Sequence, residues 1–126
     1  MAVQPTRAQI ATLAAASSPG PVVMLNLLRF RPDGGRAAYD RYAEGVQPCL
    51  EQVGASVLWY GSADSTVIGD ERADQWDAVI LVRYPSRQAF LDMVTSPQYQ
   101  AIGDRRTEAL SDSRLIACTE LFAARP

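Results

Sequence analysis

In the segment after Pro97, residues at helical spacing run Tyr99, Ile102, Arg106 and Ala109/Leu110. That spacing predicts a helix whose core-facing stripe includes the guanidinium of Arg106. An arginine so placed needs an anionic partner, either a protein carboxylate or the carboxylate or phenolate of a ligand. Tyr42 and Tyr99 are its candidate neighbours.

Asn26 stands mid-strand between Met24 and Leu28, on the same parity. A buried amide left without partners costs about 1–3 kcal/mol. It must therefore tie two strands or a helix end together, or line a pocket between sheet and helices. Trp76 shares parity with Ala78, Ile80, Val82 and Tyr84, which puts an indole at one end of a strand face and a phenol at the other. With Trp59 from the preceding strand, the row is either plain core or a flat slot for an aromatic or polyketide-like ligand. Asp77 opens the opposite parity. It either marks the strand edge and pairs with arginine or, if desolvated, serves as a general acid or base.

The expected site follows. Arg106 would hold an anion, with Tyr42 and Tyr99 beside it. Asn26 and Tyr84 would orient the ligand, Trp59 and Trp76 would wall the slot, and Asp77 would move protons. The candidate catalytic residues are thus Asp77, Tyr84 and Asn26.

Composition narrows the chemistry further. The 126 residues include no histidine, and all 12 positive side chains are arginines. The commonest general base, zinc ligand and proximal haem ligand are therefore missing, as are Schiff-base and Walker-type lysines. Neither metal nor organic cofactor is expected. A net charge of −2 without a basic run argues against nucleic acid as a partner. Cys49 and Cys118 lie far apart in no metal-like spacing, as expected of two reduced thiols in a cytoplasmic protein. No apolar run reaches the roughly 20 residues of a membrane span, and no signal-peptide pattern opens the chain.

The elements that must position these residues are legible in turn. Thr6 and Gln9 form a capping box ahead of an alanine-rich helix, stopped at residues 17–21. Residues 22–31 read as a strand buried on both faces, followed by a turn at 32–35. Tyr39, Tyr42, Val46, Cys49/Leu50 and Val53 mark one helix face, with Pro48 expected to kink it or start a new turn and Gly54 to end it. Residues 55–61 form a second strand, with Val57 and Trp59 on one face and Leu58 and Tyr60 on the other; residues 66–68 extend it beyond a bulge. Residues 76–84 are the third strand. Ser86 and Ser96-Pro97 cap two helices, and residues 113–122 form the last strand.

The order β-α-β-β-α-β is the α+β, ferredoxin-like arrangement with an antiparallel four-stranded sheet. Residues 1–20 would be a helical appendage and 21–126 a single domain. Both parities of the first and third strands are apolar, so the sheet face without helices would expose a large apolar patch. A second copy packed sheet against sheet would cover it, giving a two-fold homodimer.

The pattern Tyr84-Pro85-Ser86, Ala89, Ser96-Pro97-Gln98-Tyr99-Gln100 and Arg106 resembles an uncharacterised bacterial domain-of-unknown-function family of the dimeric α/β-barrel superfamily. Gly69-Asp70 and Asp112-Ser113-Arg114 resemble it too, and the likeness spans residues 21–122. Gln98 departs from the family's usual glutamate. The resemblance implies the fold and the dimer. It leaves function open among relatives that include cofactor-free monooxygenases, polyketide cyclases, muconolactone isomerases and haem-handling enzymes; the histidine-dependent branches do not fit this chain. Two readings lead, a metal- and cofactor-free enzyme acting on an anionic or phenolic metabolite and a dimeric ligand-binding or accessory protein without catalysis, with a purely structural dimer behind them.

Overall fold

The computed structural model describes residues 2–16 and 19–123. The elements run α1 (Arg7–Ala15), β1 (Val22–Phe30), α2 (Gly35–Gln52), β2 (Ser56–Ser62), β3 (Ala78–Tyr84), α3 (Arg87–Thr95), α4 (Pro97–Gln100), α5 (Gly103–Ala109) and β4 (Leu110–Cys118). The four strands form one antiparallel sheet in the order β2-β3-β1-β4, the ferredoxin-like arrangement preceded by one extra helix.

Local chemistry sets most boundaries. The Thr6 hydroxyl accepts from the Gln9 amide and the Gln9 side chain accepts from the Thr6 amide, the reciprocal cap expected for α1. Ser86 Oγ accepts from the Ala89 amide at 3.0 Å, and Ser96 Oγ from the Tyr99 amide at 3.1 Å, with Pro97 at the first helical position. The single helix expected after Ser96 is two short ones, α4 and α5. α2 carries Pro48 within its span and runs on to Gln52. Of the stop expected at residues 17–21, Ser17 and Ser18 lie outside the described residues.

The helices cover one face of the sheet. There Val22, Met24 and Leu28 of β1 meet Ala78, Ile80, Val82 and Tyr84 of β3 beneath Tyr39, Tyr42, Val46, Cys49 and Leu50 of α2, and all are buried. On the opposite face Val23, Leu25, Leu27, Val79 and Leu81 are only half-buried, and Ile116 is 48% exposed. No described element lies over this apolar face.

Three strand expectations are corrected. β3 begins at Ala78, so Trp76 and Asp77 precede it rather than opening its two faces. The extension at residues 66–68 is loop, with Val67 and Ile68 almost fully exposed. β2 carries its irregularity within the strand: Val57 pairs with Val82 and Trp59 with Leu81, leaving Leu58 as the extra residue. This bulge shifts the alternation by one, so Val57 and Tyr60 face the helices while Trp59 lies across from Leu81 on the uncovered face.

Candidate functional site

Between the sheet and its helices lies a cavity of about 620 Å³. All five tyrosines of the chain line it: Tyr39 and Tyr42 from α2, Tyr60 from β2, Tyr84 from β3 and Tyr99 from α4. Asn26 forms part of its floor and Arg106 of its wall. Val3, Gln4, Pro5 and Ile10, from the chain ahead of β1, close the remaining side.

Arg106 points inward, as its helical spacing requires, but among the described residues no carboxylate pairs with it. Its Nη1 donates to the Val3 carbonyl at 3.2 Å, while Nη2 is buried without a hydrogen-bond partner. A charged donor held this way keeps an unmet demand for an acceptor. Asn26 Nδ2 makes two long bonds of 3.4 Å, to the carbonyls of Met24 and Ile80, so the amide both ties β1 to β3 and lines the cavity.

The phenols are held protonated. Burial pushes the Tyr39 hydroxyl up to about 12, against the opposing charge of Arg106. Burial raises Tyr42 and Tyr84 further, and neighbouring Tyr99 adds to the effect on both. Tyr60 is raised by burial as well. At neutral pH these groups offer O–H donors and neutral lone pairs, not a tyrosinate base. Tyr42 and Tyr99 bond to each other at 3.0 Å. Edge-to-face packing of Tyr42 on Tyr99 and of Tyr84 on Phe90 fixes the rings.

Of the eight residues expected to form the site, the cavity brings together Asn26, Tyr42, Tyr84, Tyr99 and Arg106. It does not include Trp59, Trp76 or Asp77. Trp59 is 53% exposed on the uncovered face, its indole lying over Gly61. Trp76 is drawn out of the strand line by two guanidiniums, with Arg29 4.7 Å and Arg114 5.1 Å from its ring centre. Both arginines also pair with Asp112, so the cluster satisfies itself. The exposed Asp77 carboxylate accepts from the Phe30 amide at 2.8 Å, beside a shallow second groove. A proton-moving role has no support in that position.

Tyr39, Tyr60 and the residues ahead of α1 also line the cavity, beyond the residues expected there. The Tyr39/Tyr42 spacing of three was a signal for the first. Tyr60 was hidden by the bulge. Among the described residues no three His, Cys, Asp or Glu side chains cluster to hold a metal, and both cysteines are free. No described helix is long and apolar enough to cross a membrane.

A protein of unknown function from Rhodopseudomonas palustris is 34% identical, covers 96% of this chain and 98% of its own, and superposes with a TM-score of 0.90. A hydroxynitrile lyase from Passiflora edulis is 15% identical over 84% of this chain and 100% of its own, with a TM-score of 0.62. A dimeric ferredoxin-like protein of unknown function from Thermobifida fusca is 10% identical over 84% and 96%, with a TM-score of 0.56. The last two share the fold alone. No curated protein matches the chain. The family profile described as "Domain of unknown function (DUF1330)" matches residues 34–119, and together with the Rhodopseudomonas likeness this establishes that the chain belongs to that family.

Proposed function

We propose that the cavity binds an anionic or phenolic small molecule, held by Arg106 and oriented by Asn26, Tyr84 and the Tyr42/Tyr99 pair. One observation carries this reading: a buried guanidinium nitrogen without an acceptor, on the wall of a tyrosine-lined cavity. In the catalytic form of the reading, Arg106 and the protonated phenols stabilise an oxyanion that develops during proton transfer, isomerisation, cyclisation or cofactor-free oxygen chemistry. The lyase among the fold's relatives supports a catalytic use of this architecture. Binding without turnover is the second reading, favoured by the burial that keeps Tyr39 and Tyr42 protonated at neutral pH.

The test is Arg106→Leu in a metabolite-library thermal-shift screen, followed by turnover assays on the hits. Loss of ligand stabilisation in a protein that melts no lower supports the reading. Hits that stabilise wild type and variant alike sink it.

The assembly is part of the same proposal. A second copy covers the half-buried face of β1 and β3, as burying an exposed apolar sheet requires, and a dimeric relative of the same fold lends support. We place the dimer in the cytoplasm, where Cys49 and Cys118 stay reduced.

A further inference from the structure

Resting on that binding reading, we infer that the ligand is a monocarboxylate on a flat, unsaturated body, and neither a neutral phenol nor a dianion. Among the described lining residues Arg106 is the sole cation, and Asp104 is the only other charged side chain. Arg106 has already committed Nη1 to the Val3 carbonyl, so Nη2 remains for the ligand. One unpartnered nitrogen on one positive charge matches one carboxylate.

A second negative group on the ligand would find only neutral phenols and amides, with the Asp104 carboxylate opposing it. Desolvating that charge without a counter-ion is strongly unfavourable. A phosphate ester or dicarboxylate therefore does not fit. A neutral phenol would leave the guanidinium uncompensated, whereas a carboxylate is ionised throughout the neutral range. The body of the ligand is set by the walls. Five phenol rings, three of them fixed edge-on to an aromatic neighbour, favour a planar π-system over a compact aliphatic one. The Tyr42/Tyr99 pair uses one of its two protons internally and keeps the other for a carbonyl or hydroxyl on the ligand.

Calorimetric titration of the full chain with naphthoate, naphthamide, a naphthalene dicarboxylate and naphthyl phosphate tests this. Naphthoate is expected to bind at least tenfold more tightly than the other three. Arg106→Gln should bring naphthoate down to the level of naphthamide and leave naphthamide unchanged. Equal or tighter binding of the amide or of either dianion overturns the inference while leaving the cavity reading intact, as does a variant that keeps the preference. If no member binds, naphthamide included, both fall. The ranking is read on the unaltered protein, so it decides even if the variant fails to fold.

Discussion

The hydroxyls of Tyr42 and Tyr99 lie 3.0 Å apart, with their rings perpendicular and their centres separated by 6.4 Å. Residues 57 positions apart are thereby joined at the cavity wall, linking α2 to α4 by a polar contact inside an apolar setting. Removing one partner leaves the other unpaired. Tyr99→Phe, which orphans the more deeply buried Tyr42 hydroxyl, should cost about 1–2 kcal/mol in urea unfolding. The double variant with Tyr42→Phe should cost less than the sum of the two single changes. Simple additivity would show that the pair is not coupled.

Alkaline stability follows from the raised phenols. A tyrosine whose folded pKa lies above its unfolded 10.0 contributes stability that is complete below pH 10. For Tyr39 that contribution is lost as pH rises from 10.0 to about 12. The melting temperature should therefore fall over this interval, and tyrosinate absorbance should develop late and together with unfolding. Early, reversible ionisation of Tyr39, Tyr42 and Tyr84 in a folded protein would contradict the buried arrangement.

Asp112 predicts the opposite limb. Burial alone would raise its pKa, but hydrogen bonds from the Ala2 amide, Arg114 and the Ser113 amide outweigh this and hold it below the usual 3.8. Its contribution is present above pH 3.8 and disappears as acidification passes the depressed folded value. Asp112→Asn should destabilise by on the order of 1 kcal/mol at neutral pH, since Arg29 and Arg114 are partly solvated, and should flatten the acid limb. A neutral-pH urea midpoint equal to wild type would sink this prediction.

Ile116 pairs with Leu25 and is 48% exposed on the sheet face without helices. Ile116→Glu should leave the subunit folded, because the position is solvated in the single chain, while weakening the dimer by at least tenfold. Light scattering at micromolar concentration reads this directly. An unchanged mass would mean that the second copy sits elsewhere.

What could be read from the chain was decided by short-range chemistry. Ser86, Ser96-Pro97, the Thr6/Gln9 pair and the apolar face of α2 announce themselves because each is settled within a few residues. Arg106 was legible for the same reason, and its inward direction holds. Trp59 and Tyr60 were not, because the bulge at Leu58 arises only when β2 takes its register from β3. One residue of slip sent the indole out and the phenol in. Trp76 and Asp77 were misplaced by partners distant in sequence: Arg29 and Arg114 hold the indole, and the Phe30 amide holds the carboxylate. Alternation within a strand carries no record of either.

Because Nη1 of Arg106 is bonded to the Val3 carbonyl, the leading residues are masonry of the chamber rather than a loose leash. Removing Val3 would therefore disturb the wall of the cavity itself, by freeing the guanidinium that its carbonyl holds.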